Sequence, residues 1–342
     1  MTREILSRNE LLHNAVAAND VGAVTELLRD SLIPFSESAA NKALAWAAFH
    51  GHAACVELLA PLFDHCDPSE ALRGAAENGH AECVELLIPA SHVKYKIFQA
   101  LSLAAENGYA ECVKLLISVS DPKARDSNPL FLAAFNGHAE CVRLLTPVSN
   151  PKDRDSQALR MASMRGHAEC VKLLIPFSNS VDLYEALMDA VKFGGCECID
   201  LLISVCDPKG KDSYALRWAA AKGRAELVKH LIPFSDPLAK NSEALLGAVK
   251  NNHVECLFLL IPTSAPNASH LCAAIENGHR ESVEILLEQA PSLFEMADIP
   301  SLVDKASANG HPDVAALLLA LVERRSMAKL FPAPSAPRSC RI

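Results

Sequence analysis

Residues 75–89 read AAENGHAECVELLIP, and variants of this stretch recur along the 342-residue chain. The glycine of the stretch is Gly79, and eleven equivalent positions can be aligned on it. They are Asp20, Gly51, Gly79, Gly108, Gly137, Gly166, Gly194, Gly223, Asn252, Gly278 and Gly310. The 290 residues between the first and the last position give a mean spacing of 29 residues. A fixed period of this length is typical of repeat proteins, so we number the repeats 1 to 11.

Each repeat is predicted to form two short helices. In repeat 6, the hydroxyl of Ser156 is expected to cap the start of the first helix. Gly166 is expected to end this helix, because glycine readily adopts the left-handed backbone conformation that closes helices. The second helix is predicted over residues 167–175, and Pro176 stops it. Short loops should then bring consecutive helices together as neighbours.

Two repeats lack the glycine and carry Asp20 or Asn252 instead, which are residue types that tolerate the left-handed conformation. One helix pair cannot bury its apolar face alone. The repeats are therefore predicted to form a single all-α solenoid over residues 1–322, with the terminal repeats acting as caps. Residues 323–342 break the period and are expected to form a flexible, basic, proline-containing tail.

Charge and hydrophobicity exclude several classes of function. The chain has 32 Lys and Arg against 41 Asp and Glu, a net charge of −9, which disfavours sequence-independent nucleic-acid binding. The first ten residues contain no apolar core of a signal peptide. The apolar run at residues 314–322 is far shorter than the roughly 20 residues that span a bilayer. We expect a monomeric cytoplasmic protein with no nucleic-acid or membrane partner.

The repeat resembles the ankyrin repeat. Residues 128–134, NPLFLAA, come closest to the usual Thr-Pro-Leu-His-x-Ala-Ala of that family, and the resemblance covers residues 8–322. The family repeat has about 33 residues, so this one is shorter by about four, and the missing residues fall in the β-hairpin finger. The resemblance therefore implies an ankyrin-like helical-hairpin solenoid with shortened or absent β-hairpin fingers. It also implies that a partner protein binds in the concave groove.

Seven of the twelve cysteines occupy one position, four residues after the glycine position: Cys55, Cys83, Cys112, Cys141, Cys170, Cys198 and Cys256. A free cysteine packs as a small hydrophobic residue. Packed helices lie about 8–10 Å apart, whereas a disulfide needs Cα atoms closer than about 7 Å. We therefore interpret these cysteines as packing residues rather than as disulfide partners.

Seven histidines also share one position, directly after the glycine position: His52, His80, His138, His167, His253, His279 and His311. In five repeats this produces a His-x-x-Cys pattern, which offers a metal site or a Cys-His enzyme as an alternative. A structural zinc site needs about four ligands, and each repeat supplies two. We favour hydrogen bonding between repeats by the histidines. Accordingly we predict no catalytic residue, no metal ligand and no cofactor.

Three positions vary between repeats, at five, two and one residues before the glycine position. Their spacing of i, i+3 and i+4 places them on one face of the first helix, and the resemblance places that face in the groove. The candidate partner-binding residues are Trp46, Phe49, His50, Glu77, Glu106, Phe131, Leu132, Phe135, Met161, Met164, Arg165, Lys192, Phe193, Trp218, Lys222 and Lys250.

This pattern predicts a non-catalytic scaffold that binds an extended or helical segment of a partner protein. The partner should be acidic opposite the four cationic residues of the set and basic opposite its two glutamates. Aromatic residues, Met and Arg are the types enriched in interface cores. Packing along the stacking seam is the alternative for the Leu, Met and Trp members. A secreted effector that engages host proteins through the repeats is a second alternative for the function.

Overall fold

The described part of the chain is built from paired α-helices. The structure, a computed structural model, describes residues 2–29, 35–62, 68–91, 93–296 and 298–330, and no strand occurs within these ranges. None of the helices in the described ranges is both long enough and apolar enough to cross a membrane. The chain divides into two compact units, the N-terminal body Met1–Cys206 and the C-terminal body Asp207–Ile342.

The N-terminal body holds the helix pairs of repeats 1 to 7. They are α1 (Thr2–Ala17), α2 (Val21–Arg29), α3 (Glu37–Phe49), α4 (Ala53–Leu59), α5 (Ser69–Glu77), α6 (Ala81–Leu87), α7 (Lys94–Asn107), α8 (Ala110–Ile117), α9 (Ala124–Asn136), α10 (Ala139–Leu145), α11 (Asp153–Arg165), α12 (Ala168–Leu174), α13 (Ser180–Phe193) and α14 (Cys196–Ile203). Within this body each first helix packs on the first helix of the next repeat, and second helices pack on second helices.

The C-terminal body holds repeats 8 to 11 in the same arrangement. Its helices are α15 (Gly210–Ala221), α16 (Ala225–Leu231), α17 (Ala239–Lys250), α18 (Val254–Leu260), α19 (Ala268–Glu276), α20 (Arg280–Gln289), the short α21 (Ser292–Met296), α22 (Ile299–Ala308) and α23 (Pro312–Leu330). In both bodies a 3₁₀ turn follows certain second helices and contains the proline that ends them, as at Ile175–Phe177 and Ile232–Phe234. The predicted helix pairs are thus confirmed.

Most first helices end at a residue with positive φ, as predicted. Gly166 has a φ of 79°, and Asn252 has a φ of 54° in repeat 9. The prediction for repeat 1 is wrong by one residue, because Asn19 adopts the positive φ of 52°. Asp20 instead caps the next helix, since its carboxylate accepts a hydrogen bond of 2.9 Å from the backbone N–H of Ala23.

Gly194 does not adopt the left-handed conformation predicted from its alignment. Its φ of −84° and ψ of −177° are extended, and Gly195 then begins α14. A Cβ atom at Gly194 would lie 2.2 Å from the carbonyl oxygen of Ser163. Glycine is therefore required here by close backbone approach rather than by the sign of φ.

The core is a repeated layer of small and branched side chains. In repeat 5, for example, Leu130, Ala133, Cys141, Val142 and Leu145 are all fully buried. Burial of a Leu or Val side chain stabilises a fold by about 1.5–3 kcal/mol, so a layer of this kind favours the folded stack strongly. Alanine at the closest helix contacts allows the first helices of neighbouring repeats to approach one another.

The shortened fingers predicted from the repeat length are confirmed in the described ranges. In place of a hairpin, a left-handed turn lies within the start of certain first helices, as at Arg125, Asp126 and Ser127 of α9, whose φ values are 51°, 58° and 54°. The buried Ser127 hydroxyl donates to the carboxylate of Asp153 at 2.6 Å and accepts from the Asn150 backbone N–H at 2.9 Å. The turn of repeat 5 is therefore tied to the turn of repeat 6.

Ser156 does not cap its own helix, contrary to the prediction. It is fully buried with a φ of 56°, and its hydroxyl donates to the carboxylate of Asp182 in the next repeat at 2.7 Å. The left-handed turn directs the serine side chain toward the following repeat rather than toward the start of α11. Ser36 does act as a cap in repeat 2, where it accepts from the backbone N–H of Ala39.

The predicted end of the repeat region at residue 322 falls inside α23, which continues to Leu330. The first eight residues assigned to the tail are therefore helical. Residues 331–342, the remainder of the predicted tail, lie outside the described residues.

Candidate functional site

The candidate partner-binding residues lie near the ends of the first helices. In repeat 2 they are Trp46, Phe49 and His50, on the last turn of α3 and directly after it. Gly51, with a φ of 75°, ends the helix behind them. Because the closing turn is the same in most repeats, the same three positions come to lie on one face of each first helix. We call this the first-helix face.

Histidines hold the backbone of this face. The Nε2 atoms of His80, His138 and His167 lie 3.0, 2.9 and 3.1 Å from the carbonyl oxygens of Phe49, Glu106 and Phe135. The same contact recurs at His253, His279 and His311. Each of these six histidines thus bonds to the preceding repeat, which confirms for them the predicted hydrogen bonding between repeats.

An aromatic cluster occupies the first-helix face at repeat 2. The Trp46 and His50 rings lie 4.2 Å apart, and the Nδ1 of His50 is 2.9 Å from the Trp46 carbonyl oxygen. The edge of His13 contacts Trp46 at 5.3 Å, and Phe49 contacts His50 at 5.1 Å. Trp46 and Phe49 nevertheless remain 40% and 47% exposed. The cluster is ordered by ring contacts while it presents apolar area to solvent.

The two glutamates differ in how available their charges are. Glu77 is half-buried, and its carboxylate lies 3.5 Å from the guanidinium of Arg73, which partly neutralises it. Glu106 is exposed, and only its backbone carbonyl is engaged by His138. Glu106 is therefore the better candidate for contact with a cationic partner group.

The middle of the face, in repeats 5 and 6, is apolar and half-buried. The half-buried side chains there are those of Phe131, Leu132, Phe135, Met161 and Met164. The Phe131 and Phe135 rings are 5.8 Å apart. Packing therefore accounts for part of their role.

A cation lies over this apolar patch. The exposed guanidinium of Arg165 lies 3.8 Å from the centroid of the Phe135 ring. This distance is favourable for a cation–π contact. This contact holds Arg165 on the first-helix face, where we predict that it meets an acidic group of the partner.

Repeat 7 places Lys192 and Phe193 at the end of α13. Phe193 is 67% exposed, whereas Lys192 is half-buried. Beside them, Asp189 accepts a hydrogen bond of 2.8 Å from Arg160, which also contacts Glu185 at 3.2 Å. The sequence did not identify Arg160 as a link between repeats, because its partners lie in the following repeat.

The C-terminal body carries the remaining three candidates on its own first helices. Trp218 is half-buried, and the guanidinium of Arg224 lies 5.1 Å from its ring. Lys222 and Lys250 are exposed. These residues form a basic surface with one aromatic side chain.

The cysteines of the repeated position are buried, as the packing interpretation predicts. Burial raises the pKa of Cys141 to about 12 and raises the pKa of Cys83, Cys112 and Cys170 to about 11. A thiol nucleophile or a thiolate metal ligand needs the opposite shift. In the described ranges, no cluster of three or more His, Cys, Asp or Glu side chains has the arrangement of a metal site.

Sequence reasoning missed two ring contacts, one at the histidine position and one on α1. Tyr109 replaces histidine in repeat 4, and its ring covers Gly79 as His138 covers Gly108. The alignment of Tyr109 with the histidine position could have predicted this contact. The edge contact of His13 with Trp46 had no signal in the sequence, since it joins helices of different repeats.

Comparisons with known proteins identify one family of repeats. The family described as ankyrin repeats, with three copies per match, matches overlapping segments at residues 12–99, 72–155, 101–186, 130–213, 187–270 and 216–297. A comparison with curated protein sequences finds no significant match. Among 51 matching chains of solved structures is the crystal structure of the human ASB11 ankyrin repeat domain, at 19% identity. That match has a TM-score of 0.42 and covers 60% of this chain and 95% of the other.

The matched segments together span residues 12–297, which is most of the chain. Repeats of this kind are in general protein–protein interaction modules. The chain belongs to the ankyrin repeat family.

Proposed function

We propose that the chain is a non-catalytic scaffold that binds a partner protein on the first-helix face of its N-terminal body. The observation that carries this proposal is the exposure of large aromatic side chains on that face. Trp46, Phe49 and Phe193 all stand at the varying positions, and each is exposed by 40% or more. Aromatic residues at exposed, ordered positions are frequent centres of protein interfaces.

Exposed aromatic area on this face favours contact with a partner over a role in the core. The packed face of α3 is already formed by Leu44, Ala47 and Ala48, which are fully buried. Aromatic side chains bury about 150–250 Å² each, so covering the open part of Trp46 or Phe49 would contribute on the order of 2 kcal/mol. Two or three such contacts would contribute about 4–6 kcal/mol toward the binding of a partner segment.

The charges on the face suggest the chemistry of the partner. Glu106 favours a basic group on the partner near repeat 4, and Arg165 favours an acidic group near repeat 6. An extended or helical segment with basic and acidic ends would satisfy both. On the C-terminal body, the exposed Lys222 and Lys250 favour an acidic partner surface in the same way.

The test compares proteins captured from a cell extract by the wild type and by the double variant Phe49→Ala/Phe193→Ala. The matched control is Phe177→Ala, which removes a phenylalanine of similar exposure, 43%, from a 3₁₀ turn away from the first helices. We expect at least one partner to be retained by the control and lost from the double variant. Equal capture by both variants would contradict binding on this face.

A second variant, Phe135→Ala/Met164→Ala, tests the half-buried middle of the face. Binding should weaken while the thermal midpoint stays close to that of the wild type. A collapse of the fold would assign both residues to the core and remove them from the proposed site.

A further inference from the structure

A row of basic residues lies at the starts of three first helices in the N-terminal body. Repeats 4, 5 and 6 each carry two cations, fourteen and twelve residues before the closing glycine. They are Lys94 and Lys96, Lys123 and Arg125, and Lys152 and Arg154. Repeat 7 has Ser180 and Asp182 at these positions, so the row ends at repeat 6. We call the six cations the basic edge.

Direct contacts place the members of the basic edge beside one another. A guanidinium nitrogen of Arg125 donates a hydrogen bond of 3.1 Å to the Tyr95 hydroxyl, and the guanidinium lies 4.9 Å from the centroid of the Tyr95 ring. The guanidinium of Arg154 lies 3.0 Å from the carboxylate of Asp126. Each of these contacts joins one repeat to the next. The basic edge is therefore one continuous surface across repeats 4 to 6.

Most of the positive charge on the basic edge is not neutralised. Lys96 pairs with Glu70 at 3.1 Å, and Arg154 pairs with Asp126. The contact of Arg125 is with an uncharged phenol, so the charge of this guanidinium persists. The other three cations are exposed and take part in no ion pair within the described part of the chain; they are Lys94, Lys123 and Lys152. A local surplus of cations thus stands out on a chain whose net charge is −9.

Exposed apolar side chains lie among these cations. Val93 and Tyr95 are 44% and 47% exposed at the start of α7, and Val119 is 37% exposed in the turn before α9. The Tyr95 hydroxyl also accepts a hydrogen bond of 3.1 Å from the Gln99 side chain, so both Gln99 and Arg125 hold the ring. Covering this ordered apolar area would add binding free energy to that of the charges.

We propose that the basic edge binds an extended, acidic segment of a partner protein. This surface differs from the first-helix face, because α7 has 14 residues and places Lys94 about 20 Å from the other end of the helix. Neighbouring repeats lie about 8–10 Å apart, and an extended chain advances about 10 Å in three residues. A segment with an acidic residue at every third position therefore matches the three exposed lysines. Apolar residues between its acidic residues match Tyr95 and Val119.

An acidic peptide fits this surface better than a polynucleotide or an anionic membrane does. The turns also contain the carboxylates of Asp121, which accepts 3.1 Å from the backbone N–H of Lys123, and of Asp153, which accepts 2.6 Å from the Ser127 hydroxyl. A phosphate on every nucleotide, or a layer of lipid headgroups, would place negative charge against these carboxylates as well as against the lysines. A peptide can place its acidic residues opposite the lysines alone.

The test measures fluorescence anisotropy with a labelled peptide of four Glu-Val-Thr units. One variant removes the three exposed lysines: Lys94→Gln/Lys123→Gln/Lys152→Gln. The matched control removes three exposed cations from the second helices of the same repeats: Lys114→Gln/Arg143→Gln/Lys172→Gln. Both variants change the net charge equally, and circular dichroism should report unchanged folding. We expect the wild type and the control to bind alike, and the first variant to bind about tenfold more weakly, because three surface ion pairs are lost.

Further probes test the spacing and the class of partner. A peptide of the same composition with its four Glu adjacent should bind more weakly than the alternating one. The Phe49→Ala/Phe193→Ala variant should bind the alternating peptide like the wild type, since the proposed site on the first-helix face is separate. The proposal is overturned if the wild type does not bind the peptide, if both lysine variant and control weaken equally, or if the two peptides bind alike. Tighter binding of single-stranded oligothymidylate or of phosphatidylserine vesicles would also overturn it.

Discussion

The Nε2 atom of His138 lies 2.9 Å from the carbonyl oxygen of Glu106, and the ring of the same histidine covers Gly108. One side chain thus satisfies a carbonyl at the end of a first helix and packs on the residue that closes it. The repetition of this relationship explains why glycine and histidine recur together. It also fixes the backbone on which the candidate partner-binding residues stand.

Removing this contact should reveal a coupling between the two residues. His138→Ala should lower the free energy of unfolding by about 1 kcal/mol, the usual contribution of one hydrogen bond. Gly108→Ala should cost more, because its φ is +83° and its Cβ would lie 2.5 Å from the His138 Nδ1. In the His138→Ala background, the same glycine change should cost less, since only the backbone strain remains. Urea unfolding of the four proteins measures this, and strictly additive losses would refute the coupling.

Alanine substitution of the two neighbouring glycines of repeat 7 should affect the stability of the protein very differently. Gly194→Ala should destabilise the N-terminal body by several kcal/mol, because the added Cβ would lie 2.2 Å from the Ser163 carbonyl oxygen. Gly195→Ala is the matched control, since a Cβ there has no atom within 4 Å and the φ of −90° suits any residue. Thermal unfolding should separate the two variants clearly. Equal midpoints would mean that the backbone near Ser163 can move aside.

The buried thiols should make the protein lose stability in alkali. Burial raises the pKa of Cys141 to about 12, whereas an unfolded thiol titrates near 8.5. Below that value both states keep the proton, and above it only the unfolded chain releases it. Stability therefore falls as the pH rises from about 8.5 toward 12, by up to about 1.4 kcal/mol per pH unit for each buried thiol.

Urea unfolding under reducing conditions between pH 7 and 10 measures this slope. Cys141→Ala should make the decrease of stability with pH shallower by the contribution of one buried thiol. Cys196→Ala is the control, because the Cys196 side chain is exposed and equally solvated in both states. If both changes leave the slope untouched, deprotonation of buried thiols is not its cause.

His270 should produce an opposite dependence at mildly acidic pH. The ring is fully buried in the C-terminal body, with Nε2 at 3.2 Å from the Ser242 carbonyl oxygen, and burial lowers its pKa. As the pH falls below about 6.5, the unfolded chain takes up a proton that the folded state resists, so stability decreases. His270→Gln removes the titration while it keeps a polar side chain. Its stability should change less than that of the wild type between pH 7 and 5, and an equal decline would contradict this origin.

Much of the fold could be predicted because its determinants are local. Gly166 and Asn252 end their helices through their own backbone preferences, and Pro176 stops a helix through its own ring. The errors arose where a residue responds to a neighbouring repeat. Gly194 is set by the approach of the Ser163 carbonyl, and Ser156 is drawn to Asp182. Neither partner is adjacent in sequence.

The period, the helix pairs, the family and the positions that vary between repeats could all be predicted from the amino-acid sequence, since they follow from local residue preferences and their repetition. Which of the varying residues are exposed to solvent became clear only from the folded arrangement of the repeats. Phe49 and Phe193 are exposed, and Phe135 and Met164 are half-buried. Glu77 is paired with Arg73. Exposure and charge pairing depend on which atoms an adjacent repeat places beside a side chain, whereas periodicity specifies only the face on which the side chain lies.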